Sequence, residues 1–250
     1  MIDTHAHLQG LEGGADAAIE EAAAAGVGRI VCVGDSPELA EQAIGLARAH
    51  PGVAATVGLH PHRAGEWSES VRARLDALLD DPSVVAVGEC GLDYFRERAP
   101  RAAQAVAFAG QVVLAEKHRK PLVIHTREAA DDTLAVLRNA RTAVILHCFS
   151  LPEHLDEIVE RGWYVSFAGN VTYPSASDLA DAARRVPAEL LLLETDCPYL
   201  SPLPHRGQPS RPQYVLETLR AVAEMRGVDA GELGEQVEAN AARVFELKRC

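Results

Sequence analysis

The feature that most constrains the fold is a repeated alternation of short apolar runs with longer stretches of helical periodicity. A polar or glycine-bearing loop follows each run, and an Ala-, Leu-, Glu- and Arg-rich stretch comes next. Eight such units occur, and their order predicts a parallel sheet. The predicted strands cover residues 1–3, 29–33, 53–59, 84–88, 122–124, 143–146, 164–167 and 190–193. Helical stretches separate the strands, and examples cover residues 16–25, 38–50, 68–79, 102–118, 130–139 and 153–160, with 213–225 and 230–245 after the last strand.

Eight such units can close as a barrel or lie open as a doubly wound sheet, and periodicity alone does not separate the two. An open sheet of the dinucleotide-binding type would show a glycine-rich loop after its first strand, but the segment from His5 to His7 occupies that place. We therefore predict an α/β fold of the (βα)8 TIM-barrel class, with its site at the C-terminal strand ends. The length of 250 residues and the lack of a linker-like segment predict one domain over residues 1–250.

Composition and the chain start exclude several protein classes. The longest apolar runs are far shorter than the ~20 residues of a membrane helix, and no basic and apolar signal sequence opens the chain. The five cysteines are odd in number and widely spaced, which favours reduced thiols over a disulfide framework. We expect a cytoplasmic protein with no membrane partner and no obligate protein partner.

Histidines are concentrated where the predicted strands end. Three of the ten, His50, His118 and His154, fall within helical stretches and are not expected to have a catalytic role. The C-terminal ends of barrel strands form the active face, so the other seven are candidates for the site. These seven are His5, His7, His60, His62, His125, His147 and His205.

Two carboxylates accompany these histidines at the ends of otherwise apolar strands: Glu89 after the fourth strand and Asp196 after the eighth. An isolated buried carboxylate is costly, and it normally pairs, becomes protonated or binds a metal. Residues i and i+2 of a strand face the same side, so His5 and His7 can point together into the barrel mouth. The candidate metal ligands are therefore His5, His7, Glu89, His125, His147 and Asp196.

The mixture of imidazole and carboxylate ligands favours Zn, Mn, Co or Ni over an all-oxygen site for Mg or Ca, although Mg remains possible in activity. A single catalytic metal must keep an open position, and six side chains are too many for it. They suit two divalent cations that share a bridging carboxylate. Cys90, Cys148 and Cys197 each follow a candidate ligand, and strand alternation predicts that they face the opposite side and pack as apolar side chains.

The segments around these residues resemble the TatD-like metal-dependent hydrolases, which are among the amidohydrolase-type metal barrels. In family order they are IDTHAHL, VGLHPH, VGECGLDY, PLVIHTREA, LHCFS, VSFAGN, LLLETDCPYLSP, PHRG and NAARVF, and the similarity runs from Ile2 to about Phe245. The resemblance implies that His5, His7 and Asp196 hold one metal, that His125 and His147 hold a second, and that Glu89 bridges both.

The resemblance also implies roles beyond the ligands. His60 would contact the substrate phosphate, Glu194 and Arg206 would support substrate binding, and Asp196 would orient the attacking water and accept its proton. His62 and His205 could also be ordinary loop residues. The chain departs from the family pattern at Leu151, Ser210 and Val237, which replace an expected glycine, asparagine and threonine.

Together these features predict a metal-dependent DNase that trims single-stranded ends, exonuclease-like, with Asp196, Glu89 and His60 as catalytic residues. A hydrolase of another ester or amide, such as an aminoacyl-tRNA deacylase or a small-molecule amidohydrolase, remains the alternative. A metal-free scaffold is disfavoured because no candidate ligand is missing.

The net charge of −12 argues against general nucleic-acid binding. Locally, arginines following the strands can supply an electropositive mouth: Arg63, Arg96, Arg98, Arg127, Arg206 and Arg211.

Overall fold

The structure is a computed structural model that describes residues 1–247. This range contains eight β-strands and nine α-helices, alternating along the chain, as the α/β prediction requires. The strands are β1 (Ile2–Ala6), β2 (Arg29–Cys32), β3 (Val53–Val57), β4 (Val84–Asp93), β5 (Leu122–Arg127), β6 (Val144–Leu146), β7 (Tyr164–Phe167) and β8 (Leu191–Leu193). The helices are α1 (Ala15–Ala24), α2 (Pro37–Ala49), α3 (Glu69–Leu78), α4 (Arg101–His118), α5 (Ala130–Leu137), α6 (Leu155–Glu160), α7 (Ser177–Arg185), α8 (Val215–Arg226) and α9 (Ala230–Val244).

The chain forms two compact units, and the first comprises residues 1–32 together with residues 147 onward. In this unit β1 pairs in parallel with β2, and β7 pairs in parallel with β8. A parallel bridge joins Ala6, the last residue of β1, to Cys197, which lies in the segment after β8. Asn240 on α9 is buried and donates to the carbonyl oxygens of Ala188 and Leu191 at 2.7 and 2.8 Å, which anchors the start of β8.

The second unit comprises residues 33–146, in which β3, β4, β5 and β6 pair in parallel in that order. Glycines let β4 approach β5 closely. A Cβ on Gly91, where φ is +135°, would lie 2.0 Å from the carbonyl oxygen of His125. A Cβ on Gly88, where φ is +149°, would lie 2.5 Å from that of Val123. Only glycine fits both positions, which lie on either side of Glu89.

Two buried glutamines on α4 fix the backbone of this unit beside candidate site residues. Gln104 accepts from the Asp93 amide at 2.7 Å and donates to the Asp93 carbonyl at 3.0 Å. Gln111 makes the same pair of bonds with Leu59, at 2.7 and 3.0 Å. The glutamines are seven positions apart, so both lie on one face of the helix. They satisfy backbone groups that burial would otherwise leave unpaired.

The structure corrects some predicted boundaries. β4 was predicted to end at residue 88 and β5 at residue 124, but the strands continue to Asp93 and Arg127, so Glu89 and His125 lie within strands. The alternation implies a helix between β7 and β8, but the sequence analysis gave no bounds for α7. Cys250 and Lys248 lie outside the described residues, and the four cysteines within them are free thiols, as predicted. Across residues 1–247, every helix is too short or too polar to cross a membrane.

Candidate metal centre

Three candidate ligands meet in the first unit, and we call them the first cluster: His5, His7 and Asp196. His5 lies in β1 and His7 directly follows it, as the alternation of strand residues predicts. The Nε2 atoms of His5 and His7 lie 3.8 and 3.5 Å from Asp196 Oδ1. His5 is buried, whereas His7 and Asp196 are partly open. The cluster therefore has a buried side and a side that is partly exposed to solvent.

A buried carboxylate that sequence reasoning missed holds the first cluster together. Asp3 accepts from the Thr195 amide at 2.9 Å and from the Thr195 hydroxyl at 2.6 Å, and from the His5 amide at 3.3 Å. Burial raises the pKa of Asp3 to about 8. These bonds fix β1 against the segment after β8, which sets the separation of His5 from Asp196.

The backbone and the surroundings of Asp196 are both unusual. Its φ is +54°, a left-handed conformation that is uncommon outside glycine and that recurs at functional sites. Burial acts to raise the pKa of Asp196, but a hydrogen bond from His7 and the charges of His147, His5 and His7 outweigh it and hold the pKa below its ordinary value. Asp196 is therefore ionised near neutral pH and available as a ligand or a base.

His147 lies beside the first cluster. Its ring stacks on that of His5 with the centroids 3.9 Å apart, and its Nδ1 lies 3.1 Å from Glu194 Oε1. The Glu194 side chain is 0% exposed and also accepts from the Cys148 amide at 2.7 Å and from the Ser166 hydroxyl. These bonds occupy the Glu194 carboxylate with partners inside the protein and fix the ring of His147.

The second unit brings together a second cluster of three: His60, Glu89 and His125. Glu89 Oε1 lies 2.9 Å from His125 Nδ1 and 3.4 Å from His60 Nε2. His60 Nδ1 accepts from the His62 amide at 3.0 Å, so Nε2 is the nitrogen that His60 offers to the cluster. Glu89 is buried, and the two histidines are partly open.

Asp93 links this second cluster to the loop after β4, and sequence reasoning gave it no role. Its Oδ2 lies 2.8 Å from His62 Nε2 and 3.2 Å from His125 Nε2, and its Oδ1 accepts from the amides of Phe95 and Arg96. Burial opposes ionisation, but the hydrogen bonds from His125, the Arg96 amide and His62 hold the pKa of Asp93 far below its ordinary value. His62, predicted as a possible site residue, is thus bound to Asp93.

Both clusters fit a divalent cation. Ligand atoms about 2.1 Å from a tetrahedral ion lie roughly 3.4 Å apart. The separations of 3.5 and 3.8 Å in the first cluster and of 2.9 and 3.4 Å in the second are of this size. His125 also presents a nitrogen to each of two carboxylates, which a neutral ring with one N–H cannot satisfy without a proton or a cation.

Other predicted residues have different surroundings. The Arg206 guanidinium lies 4.3 Å from the ring centroid of Tyr173, and the ring of His205 stacks on that of Tyr214 at 3.8 Å.

Two of the predicted arginines are neutralised by acidic partners. Arg63 pairs with Glu66 at 3.1 Å, and Arg211 pairs with Glu21 at 3.2 Å. These two arginines therefore contribute less free positive charge than the sequence suggested.

The cysteines and the departures from the family pattern lie mostly in the interior. Cys90 and Cys197 are buried, and burial raises the pKa of both thiols, which confirms their predicted packing as apolar side chains. Cys148 is half-buried. The three departing side chains are all buried: Leu151, Ser210 and Val237.

Comparison with known proteins agrees with the resemblance. The family model described as "TatD related DNase" matches residues 2–246. A Mycobacterium tuberculosis (strain ATCC 25618 / H37Rv) protein named "Uncharacterized metal-dependent hydrolase TatD" is 41% identical over 260 residues, covering 99% of this chain and 98% of the relative. An Erwinia tasmaniensis protein named "3'-5' ssDNA/RNA exonuclease TatD" is 37% identical over 243 residues, covering 93% of each.

The fold agrees with a solved structure over almost the whole chain. The crystal structure of YjjV, a TatD homolog from Escherichia coli K12, matches with a TM-score of 0.93 at 30% identity. The match covers 99% of this chain and 98% of that chain. It confirms the (βα)8-barrel class that the sequence predicted.

Proposed function

The chain belongs to the TatD family of metal-dependent hydrolases, and on this basis we propose that it hydrolyses phosphodiester bonds of single-stranded nucleic acid, as a DNase acting from strand ends. The observation that carries the proposal is the pair of His and carboxylate clusters, each of a size that fits a divalent cation. The name of the Erwinia tasmaniensis relative supports a single-stranded substrate.

The proposed centre would hold two divalent cations. His5, His7 and Asp196, which form the first cluster, would hold one. Glu89 and His125 of the second cluster would hold the other together with His147, Glu89 would bridge the two, and His60 would be left for the substrate. Two such cations lower the pKa of a water and stabilise charge on a phosphoryl group. The bond between Glu194 and His147 and that between Asp93 and His125 fix the rings of two proposed ligands, as outer partners of metal-binding histidines commonly do.

The remaining steps fall to side chains of the chain. A water oxygen bonds to phosphorus as the ester P–O bond breaks, and Asp196 accepts the proton of that water at its carboxylate. The departing ester oxygen takes up a proton from solvent and leaves as the sugar hydroxyl, and the other product is the phosphomonoester. His60 offers Nε2 to a phosphate oxygen, because its Nδ1 is occupied by the His62 amide. Glu194 is enclosed by protein partners and acts in this proposal by orienting His147, and Arg206 contacts the phosphate backbone.

The first prediction tests the activity itself. Protein loaded with Mn, Co or Zn should shorten a labelled single-stranded 12-mer of DNA, chelation should abolish the reaction, and readdition of the ion should restore it. Duplex DNA, single-stranded RNA, an aminoacyl-tRNA and a model ester are assayed in parallel. Hydrolysis of the ester or the aminoacyl-tRNA with no action on any oligonucleotide would contradict the proposal, as would activity that survives chelation.

A second prediction concerns Arg206, whose exposed guanidinium has no carboxylate within ion-pair distance among residues 1–247. Arg206→Ala should raise KM for the oligonucleotide by about 10- to 100-fold, the range for losing a hydrogen bond to a charged group. The slope of the logarithm of affinity against the logarithm of salt concentration should also become shallower, by the amount that about one phosphate contact contributes. Arg211→Ala is the matched control, because Arg211 already pairs with Glu21. Equal effects in both variants would show that Arg206 makes no specific contact.

A further inference from the structure

An exposed aromatic ring follows β4 directly beyond the second cluster. Phe95 is 50% exposed, so part of its ring is accessible to solvent. The guanidinium carbon of Arg127 lies 4.0 Å from its ring centroid, and that of Arg96 lies 5.5 Å away. We call Phe95, Arg96 and Arg127 the Phe95 platform.

The two arginines of the platform carry free positive charge. Both are exposed, and within the described residues neither guanidinium has a carboxylate at ion-pair distance. Two acids close in sequence pair elsewhere: Glu97 with Arg101 at 2.6 Å, and Asp132 with the Tyr94 hydroxyl at 2.7 Å. Glu128, which follows Arg127, is exposed and is not at ion-pair distance from it within the described residues. On a chain with a net charge of −12, two arginines without an ion-pair partner beside one half-exposed ring form a local site of opposite character.

The platform is rigidly joined to the second cluster. The Asp93 carboxylate accepts from the amides of Phe95 and Arg96 at 3.0 and 2.7 Å, and its other oxygen contacts His125. Gln104 on α4 hydrogen-bonds both the amide and the carbonyl of Asp93. One carboxylate therefore sets both the start of the platform loop and a nitrogen of a proposed metal ligand, so a group bound on the ring has a fixed position relative to His125.

We propose that the Phe95 platform binds one base of a single-stranded nucleic acid by stacking, while Arg96 and Arg127 contact the adjoining phosphates. The inference rests on the proposed function and extends it with a subsite that positions the strand. A half-exposed aromatic ring flanked by guanidiniums is the combination that single-strand binding uses, because every base has a π face and every nucleotide a phosphate. The platform is sequence-tolerant for the same reason.

The test is a double-mutant cycle between the ring and a base. KM and kcat are measured on the metal-loaded protein for a 12-mer of thymidylate and for a series of 12-mers that each lack one base. In the unsubstituted protein, removal of one particular base should raise KM by roughly 5- to 150-fold, with kcat nearly unchanged. In Phe95→Leu, KM for the intact 12-mer should rise by a similar factor, and removal of that base should have no further effect.

Three variants bracket the result. Phe95→Trp keeps a stacking ring and should retain the penalty for removal of the base. Arg127→Gln keeps the ring. It should make the slope of log KM against log salt concentration shallower, by the amount that about one phosphate contact contributes. Val113→Ala, an exposed apolar position on α4, should match the unsubstituted protein. Melting temperature and metal content are compared across the unsubstituted protein and all four variants, so that a misfolded variant is recognised.

The outcomes separate this inference from the function on which it rests. If the unsubstituted protein hydrolyses the 12-mers but Phe95→Leu shows every base-removal penalty unchanged, the platform is wrong and the nuclease proposal stands. If the unsubstituted protein acts on no oligonucleotide, both fall together. A penalty at one position that vanishes in Phe95→Leu and persists in Phe95→Trp supports the platform.

Discussion

Replacing Asp196 by asparagine should lower kcat for a single-stranded oligonucleotide by about 10²- to 10⁴-fold, the usual contribution of a positioned general base. Asparagine keeps an oxygen where Asp196 Oδ1 now lies 3.5 Å from His7 Nε2 and 3.8 Å from His5 Nε2. An amide oxygen can still bind a cation, but an amide cannot accept a proton at neutral pH. We therefore expect most of the bound metal to remain while turnover is lost.

Turnover and metal content must be measured on the same preparation to test this. Asp178→Asn is a suitable control, because Asp178 is an exposed carboxylate on α7 and its loss changes the net charge by the same amount. Substantial turnover by Asp196→Asn would remove the general-base role from Asp196. Loss of all bound metal would show instead that its charge is needed to hold the ions, and would leave the base unassigned.

The order of elements and the first cluster could be predicted because both depend on local patterns. Buried parallel strands have short apolar runs, and β6, β7 and β8 consist entirely of buried residues. The spacing of His5 and His7 places them on one side of a strand whatever surrounds it. Asp196 lies next to them because β1 and β8 lead into segments joined by the bridge from Ala6 to Cys197.

The extent of β4 could not be predicted for an equally physical reason. Gly88 and Gly91 indicate a loop when only local propensity is considered, since glycine weakens an isolated strand. In the fold the same glycines are required by the close approach of β5, where the carbonyl oxygens of His125 and Val123 leave no room for a Cβ. Tertiary contact thus reverses the local preference. The bounds of helix α7 were not predicted because few of its residues are buried, which leaves little apolar signal.

The outer partners of the site were the least predictable part. Asp3, Asp93 and Glu194 are all buried acids in quoted motifs, yet nothing in their spacing indicates which group each one contacts. Glu194 was expected to support substrate binding, and its bonds to His147, Cys148 and Ser166 depend on segments far apart in the chain. A sequence identifies a costly buried carboxylate, but only the fold identifies what compensates it.

Glu89→Gln should remove activity by at least about a thousandfold and lower metal affinity by at least about 100-fold, more than the loss of an outer partner costs. Glu89 Oε1 lies close to His125 Nδ1 and His60 Nε2, and the side chain is buried, so the substitution removes the negative charge from the middle of the second cluster. Glu128→Gln, an exposed carboxylate just after β5, controls for the loss of one negative charge.

The number of ions lost decides how Glu89 acts. A bridging carboxylate contributes to both cations, so the bound metal should fall from about two equivalents towards none, whereas Asp196→Asn should retain the ion held by other ligands. Loss of a single equivalent in Glu89→Gln would confine Glu89 to the cluster with His60 and His125 and contradict the bridge. Unchanged metal content would contradict its role as a ligand altogether. Because both substitutions replace a carboxylate by its amide, any difference between them reflects position in the centre and not the chemistry of the change.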